Sequence, residues 1–361
     1  MRRLIIANTF YQVIFSMQMK STVFKDDEVE IIVTDHSKSA DVVSLSLKEE
    51  RIFDAVYFVK TNGSNDNRSV CQRVYDIISI SLFKTNRFSY YINRVTNLFF
   101  DELVVFNYDM RTYGIYAVLS SYNHSIRVSR FEEGILSYNS ETIYTTVRTV
   151  IGFLRKVQGK AVIEQELDKF YCFYPDLYEG VLKASAIPVI TQKSCVRKAL
   201  QNVFNVNNLN FVYKQKYIFF TSVYDFEGGK PVGEYELVCK VANLVGMDNL
   251  LIKTHPRDTR TIYVDSGFNV DKNSSIPWEV IQLTGDFSDK VFMTINSGSV
   301  LSGNTMSEKP VNTYYMYKLC DISGNESCMK NAHDIEKLLM DDKMSKILKS
   351  VKIAERIEDI L

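Results

Sequence analysis

Short runs of apolar, β-branched and aromatic residues alternate with amphipathic stretches along this chain, and that rhythm constrains the fold more than any other feature. Residues 4–7, 29–34, 55–59 and 103–106 have the length of strands and are apolar on both faces, as buried parallel strands are. Residues 12–20 carry helical spacing after the first run, 125–130 is a further strand, and 141–157 has helical periodicity. The second half repeats the pattern. A strand is expected at 217–222, a helix at 234–245 closed by Gly246, a strand at 250–253, a short helix at 278–283 and a strand at 291–295. Residues 331–361 are expected to form a long charged helix or helix pair, and the polar stretch 201–210 is the best linker. Strand–helix alternation in both halves predicts an α/β, GT-B-like architecture. It consists of two doubly wound Rossmann-like domains, 1–205 and 206–361, with an interdomain cleft.

At 361 residues, with 46% hydrophobic and 24% charged residues, the chain can bury two ordinary cores. A formal net charge of +0 argues against broad capture of nucleic acid. Six cysteines without CxxC spacing read as reduced thiols of a cytosolic protein. The apolar start is cut short by Asn8, Thr9 and Gln12, and no small-residue cleavage site follows. No apolar run approaches the roughly 20 residues of a membrane span. The expectation is a cytoplasmic protein, with peripheral contact at the inner face of the cell membrane left open. That contact would use Lys343, Lys346, Lys349, Lys352 and Arg356 on a basic amphipathic helix, although a solvated helix packing on its own domain is the commoner arrangement.

Several clusters fall at predicted strand ends, where open α/β sheets bind ligands. Glu132-Glu133-Gly134 offers carboxylates that burial or mutual proximity would turn into general bases; an exposed acidic turn is the commoner reading of those three residues alone. Lys253-Thr254-His255-Pro256-Arg257-Asp258 offers an imidazole held extended by Pro256 and flanked by Lys253 and Arg257, able to stabilise or protonate a leaving phosphate; a structural histidine is the plain alternative. Ser297-Gly298-Ser299 could cradle a phosphate or be an ordinary turn. Glu279 could bind a ribose diol or serve the helix dipole. Asp225 and Glu227, after the 217–222 strand, are alternative bases. There is no Asp-x-Asp pair, no Walker A loop, no G-x-G-x-x-G and no H-E-x-x-H, and the other histidines lack metal-ligand spacing, so metal-free transfer is favoured.

These residues resemble a known group. Glu132-Glu133-Gly134 resembles the D/E-D/E-G motif of bacterial sialyltransferases, His255-Pro256 their HP motif, and Ser297 with Ser299 the serine motif that follows, here split by Gly298. The layout, including Ala7-Asn8-Thr9-Phe10-Tyr11-Gln12, is similar to glycosyltransferase family 52, which includes lipooligosaccharide and capsule α-2,3-sialyltransferases. The resemblance implies an inverting, metal-independent enzyme with no cofactor, moving sialic acid from CMP-sialic acid to a terminal galactoside of a bacterial surface glycan. The N-terminal domain would serve the acceptor and the C-terminal domain the nucleotide sugar. Glu132 or Glu133 would be the base, with Asp225 and Glu227 still open; His255 would contact the phosphate and act as acid; Ser297 and Ser299 would bind it; Glu279 would bind ribose. Lys253, Pro256 and Arg257 complete the donor-side set. A lipid-linked acceptor and a homodimer are compatible with the sequence. Two alternatives stay open: a related GT-B enzyme using another nucleotide sugar, and a non-catalytic glycan-binding protein.

Overall fold

The structure is a computed structural model that describes residues 1–61, 69–83, 85–138, 146–206, 213–227, 229–273 and 276–361. The chain forms two compact units, Met1–Pro188 and Val189–Leu361.

The first unit is built on strands β1 (Arg2–Ala7), β2 (Glu28–Thr34), β3 (Ala55–Val59), β4 (Glu102–Val105), β5 (Arg127–Phe131), β6 (Leu167–Cys172) and β7 (Lys183–Ala186). All pair in parallel in the order β3-β2-β1-β4-β5-β6-β7. The order reverses between β1 and β4, which opens a crevice at their carboxyl ends. Helices cover both faces of the central strands, so Leu4, Ile5, Ile31, Leu103, Val104 and Val128 are fully buried. Helix Phe10–Ser21 starts where Thr9, as N-cap, accepts the Gln12 N–H.

A polar network ties four neighbouring strands together. Glu102 of β4, wholly buried, pairs with Arg3 of β1 and accepts from Ser129 of β5 and, at 3.1 Å, from Tyr171 of β6. Arg3 Nε also binds Asp27 Oδ2 at 2.9 Å, and its guanidinium stacks on Phe24.

The second unit carries β8 (Tyr217–Phe220), β9 (Leu250–Lys253), β10 (Asn269–Val270), β11 (Val291–Thr294), β12 (Asn312–Tyr315) and β13 (Val351–Ile353). These are again all parallel, in the order β10-β9-β8-β11-β12-β13. Its switch point lies between β8 and β11. Trp278 anchors the core, with edge-on contacts to Phe220, Phe292, Phe287 and Tyr213.

Two expectations change. Residues 189–205, placed with the first domain by composition, lie in the second unit: helix Val196–Val203 is fastened there by Arg197, which donates to the carbonyls of Leu283 (2.9 Å) and Thr284 (2.7 Å). The part of the expected linker at 207–210 and the start of the expected helix at 141–145 lie outside the described residues. The C-terminal segment is not one long helix. Helix Glu326–Met340 ends before Asp341, a single turn spans Met344–Ile347, and Val351–Ile353 is the edge strand β13 on β12. Lys352 therefore sits on a strand and the basic amphipathic helix does not form; β-branched Val351 and Ile353 side a sheet edge that needed a partner. None of the six cysteines is bridged. Among the described residues, no helix is long and apolar enough to cross a membrane.

Glu102→Ala should leave the Arg3 charge buried with Asp27 as its remaining acid, and should lower stability by roughly 3 kcal/mol. Chemical denaturation of parent and variant measures it; an unchanged midpoint would remove the network from the account of stability.

Candidate active site

In the first unit, β5 delivers Glu132 and Glu133 to the sheet's carboxyl edge, as predicted, but the two have different environments. Glu132 is 1% exposed. It accepts from Tyr11 Oη at 2.6 Å, from the Tyr138 hydroxyl and from the Phe173 N–H at 2.8 Å. Burial pushes its carboxyl up to about 7 against these three donors, which favour the charged form. Both oxygens are committed to the fold, so Glu132 binds helix 10–21, β6 and the 135–138 turn together and presents nothing to a substrate.

Glu133 is half-buried and accepts from Thr9 Oγ1 at 2.8 Å and from the Gln12 side chain. Burial raises its pKa, toward that of a useful base. Gly134 turns the chain away at φ +78°, a conformation that favours glycine, and Ser137 Oγ bonds the Gly134 carbonyl at 2.7 Å.

Beside this pair, the ends of β1, β2 and β4 assemble polar groups that motif reading missed. Asn8 Oδ1 accepts from Arg111 Nη1 (3.1 Å) and from Thr34 Oγ1 (3.0 Å), and Thr34 shares a hydrogen bond with His36 Nδ1 (2.8 Å). Burial and then Arg111 hold His36 below its usual pKa. Arg148, half-buried on helix Thr146–Val157, feels both Asp109 and Arg130. The available signal was position: Asn8 and His36 each follow a predicted strand.

In the second unit His255 stands just beyond β9. Its backbone N–H donates to Thr221 Oγ1 at 2.9 Å, past the end of β8. Its Nδ1 accepts from the Arg257 N–H at 3.1 Å, which assigns the proton of the neutral ring to Nε2. Burial, then Arg257, lowers the imidazole pKa, with Glu227 and Asp258 opposing. Burial and the Arg257 charge both favour the neutral ring, an Nε2–H donor, over the imidazolium.

The neighbours themselves are occupied. Lys253 is buried in an ion pair with Asp271 at 2.7 Å, not turned toward a donor. Arg257 is exposed and pairs with Glu227 at 2.6 Å, so the predicted base loop and the histidine loop do meet. Pro256 is exposed. Asp225, offered as a base, is a helix cap: Oδ1 accepts from Val232 N (2.9 Å) and Gly233 N (3.0 Å), and Oδ2 from Glu234 N (3.0 Å) and Tyr235 N (3.3 Å). That disposition removes it from proton transfer. Glu234, in the first turn of helix Glu234–Val245, is another buried carboxyl; it takes the Ser222 N–H on both oxygens at 2.9 Å, and burial pushes it up to about 8.

The serine turn follows β11. Helix Ser299–Met306 begins after Gly298 with no side-chain cap, and a Cβ built on Gly298 meets nothing within 4 Å. Open space over an uncapped helix start suits an anion. The Ser297 N–H is bound by Thr294 Oγ1 at 2.8 Å and its carbonyl by Tyr315 Oη at 3.1 Å, so the turn is fixed from below. Glu279 reaches this helix through Ser302 Oγ at 2.7 Å, and burial raises its pKa. β9, β8 and β11 are adjacent, so His255 and the serine turn stand about two strand spacings, ~10 Å, apart on one edge.

The chain belongs to the alpha-2,8-polysialyltransferase (POLYST) family, whose sequence profile matches residues 3–311. It is therefore a glycosyltransferase of the sialyltransferase type. The family's description carries an α-2,8 linkage where the resemblance to family 52 implied α-2,3. Among solved structures the chain is similar to the α/β-galactoside α-2,3-sialyltransferase of the luminous marine bacterium Photobacterium phosphoreum, at 12% identity over 99% of this chain and 98% of that one, with a TM-score of 0.50. It is also similar to the UDP-GlcNAc 2-epimerase of Methanocaldococcus jannaschii, at 13% identity over 100% and 93% of the chains and a TM-score of 0.49. A third is the Streptomyces sp. SF2575 glycosyltransferase SsfS6, at 9% over 97% and 94% and a TM-score of 0.44. The first of these supports the GT-B-like α/β fold that the two parallel sheets define. A comparison with curated proteins finds no match.

Glu132 sets a pH signature. The folded state keeps its proton up to about 7, whereas the unfolded chain releases it near 4.5. Its contribution is full below 4.5 and is lost as pH rises through about 7, a change on the order of 1–3 kcal/mol. Glu132→Gln should remain folded and gain stability relative to the parent between pH 5 and pH 8. Denaturation at both pH values would show a constant difference if this account is wrong.

Proposed function

We propose that this protein transfers sialic acid from CMP-sialic acid to a surface-glycan acceptor, with inversion and without a metal ion or cofactor. The observation that carries the donor side is the backbone-locked Nε2–H of His255 on the same sheet edge as the uncapped helix start at Ser297–Ser299. The acceptor oxygen attacks the anomeric carbon as the bond to the phosphate oxygen breaks. The acceptor proton passes to Glu133, and the charge left on the CMP phosphate is met by His255 Nε2–H and the backbone N–H groups at the uncapped start of helix Ser299–Met306. The neutral ring meets that charge as a hydrogen-bond donor and keeps its proton. In this reading Glu279, which accepts from Ser302, takes the ribose diol.

The first unit favours the α-2,8 reading. An α-2,8 acceptor ends in sialic acid and is anionic; an α-2,3 acceptor ends in galactose and is neutral. Arg111 and Arg148 both lie near Asp109, and Arg111 near His36, with Asp35 a second acid there, while Arg130 is buried with its Nε on the Phe106 carbonyl. Such a cluster suits a carboxylate-bearing acceptor. The galactose reading implied by family 52 predicts the reverse preference.

His255→Ala should lower transfer by about a hundredfold or more, with CMP release falling in parallel. Glu133→Gln should lower transfer by a similar factor, whereas Glu132→Gln should act mainly on stability; equal losses of kcat in both variants at full folding would sink the assignment of Glu133. EDTA should leave the rate unchanged. Turnover of a UDP-sugar without CMP release from CMP-sialic acid would overturn the donor.

Given both acceptors, the enzyme should extend one ending in sialic acid over one ending in galactose. Arg111→Ala should raise the acceptor KM by roughly tenfold, more at low salt than at high. Exclusive extension of the galactose-ended acceptor would decide for α-2,3.

A further inference from the structure

Helix Phe10–Ser21 opens on a variant of the capping box. Thr9 is its N-cap, and Thr9 Oγ1 accepts the Gln12 N–H at 3.4 Å. In the common box the side chain three residues after the cap returns to the cap's own N–H. Here Gln12 Oε1 returns one residue further, to the Asn8 N–H at 2.6 Å. That bond claims the oxygen of the amide and leaves the Nε2 hydrogens over. The Thr9 oxygen is an acceptor in the cap, so its own hydrogen is left over as well. Both surplus donors go to one group: Thr9 Oγ1 donates to Glu133 Oε1 at 2.8 Å, and the Gln12 side chain donates to the same carboxyl.

Capping the helix requires neither of these bonds, and Glu133 arrives from another element, the end of β5. Its backbone is pinned too, since its N–H donates to Ser137 Oγ at 3.1 Å. The positive end of the helix dipole adds to the two donors in favouring a carboxylate there. The neighbouring ionisable groups are engaged elsewhere. Glu132 takes Tyr11, Tyr138 and the Phe173 N–H, and Arg111 of helix Met110–Leu119 donates to Asn8 Oδ1 at 3.1 Å. Burial raises the Glu133 pKa, and Thr9 and then Gln12 lower it; among the described residues no charged group shares in that balance.

We propose that Thr9 and Gln12 are positioning residues, a clamp of two donors that holds Glu133 ionised and fixes its orientation for taking the acceptor proton. The inference rests on the reading of Glu133 as the base, and it gives the segment Asn8–Gln12 a part in the reaction beyond starting a helix.

The pH profile of kcat/KM for transfer tests it, with the thermal midpoint of each variant as the check on folding. The acidic limb of that profile follows ionisation of the base in the free enzyme. Loss of a donor raises the Glu133 pKa, so Thr9→Val and Gln12→Leu should each move the limb up by roughly one pH unit. Thr9→Ser, which keeps the hydroxyl, should leave the limb where the parent has it. The carboxyl carbon resonance of Glu133 in glutamate-labelled protein, identified by its loss in Glu133→Gln, should titrate higher in Thr9→Val and Gln12→Leu. Thr9 is half-buried, so Thr9→Val reads the clamp even if Gln12→Leu does not fold. A rate that falls equally at every pH, with limb and resonance unmoved, means a purely structural cap and overturns the proposal. Retained transfer in Glu133→Gln removes the base reading instead. The carboxyl titration then decides alone: a rise in Thr9→Val supports the clamp, and no rise overturns it.

Discussion

Parallel pairing of every strand is the constraint on which the rest of this molecule depends. A parallel pair needs a crossover, the crossovers place helices on both faces, and both faces then demand apolar side chains. The same geometry sends all carboxyl ends of a sheet to one edge. Asn8, Thr34, Asp109 and Glu133 meet on the first unit for that reason, and Thr221, His255 and Ser297 on the second, although each set is scattered over many tens of residues in sequence. Chemistry gathers at the switch points because only there do two neighbouring loops turn away from each other.

Buried carboxylates divide the polar work. Glu102 neutralises Arg3 across the strand starts, Asp271 neutralises Lys253, Glu234 holds the Ser222 backbone, and Glu132 gathers two tyrosine hydroxyls and an N–H. Each is expensive to bury and each is fully engaged, as low dielectric requires. Glu133 differs from its neighbour by one position along a strand end, and that step moves it from the core side to the crevice. The adjacent pair is thus one structural and one accessible carboxyl, a split that no property of the two side chains announces.

The sequence carried the strands well where they were apolar on both faces: residues 55–59, 250–253 and helix 234–245 with its Gly246 cap fall where the pattern put them. It carried β6, β7, β12 and β13 poorly, because Lys169, Lys183, Asn312 and Lys352 break up their apolar runs; β7 and β13 are edge strands, which tolerate such residues. Of the site, His255 and the serine turn were legible as motifs at strand ends. What was not legible was occupancy. Lys253, Asp225 and Glu132 had the right residue type in the right place, but partners distant in sequence, Asp271, the helix start at 232–235 and Tyr11 with Tyr138, had already claimed them. Arg111 and His36 escaped because their significance depends on Asn8 and Thr34, which no local window contains.

The tautomer of His255 is set by a backbone group, the N–H of residue 257, and not by a side chain. Every amino acid except proline supplies that N–H. The identity of residue 257 is therefore uncoupled from the tautomer of the ring, although the Arg257 charge still lowers its pKa, and the side chain makes an ion pair with Glu227. A lineage could exchange arginine at this position, and with it the charge beside His255, without disturbing which ring nitrogen carries the proton.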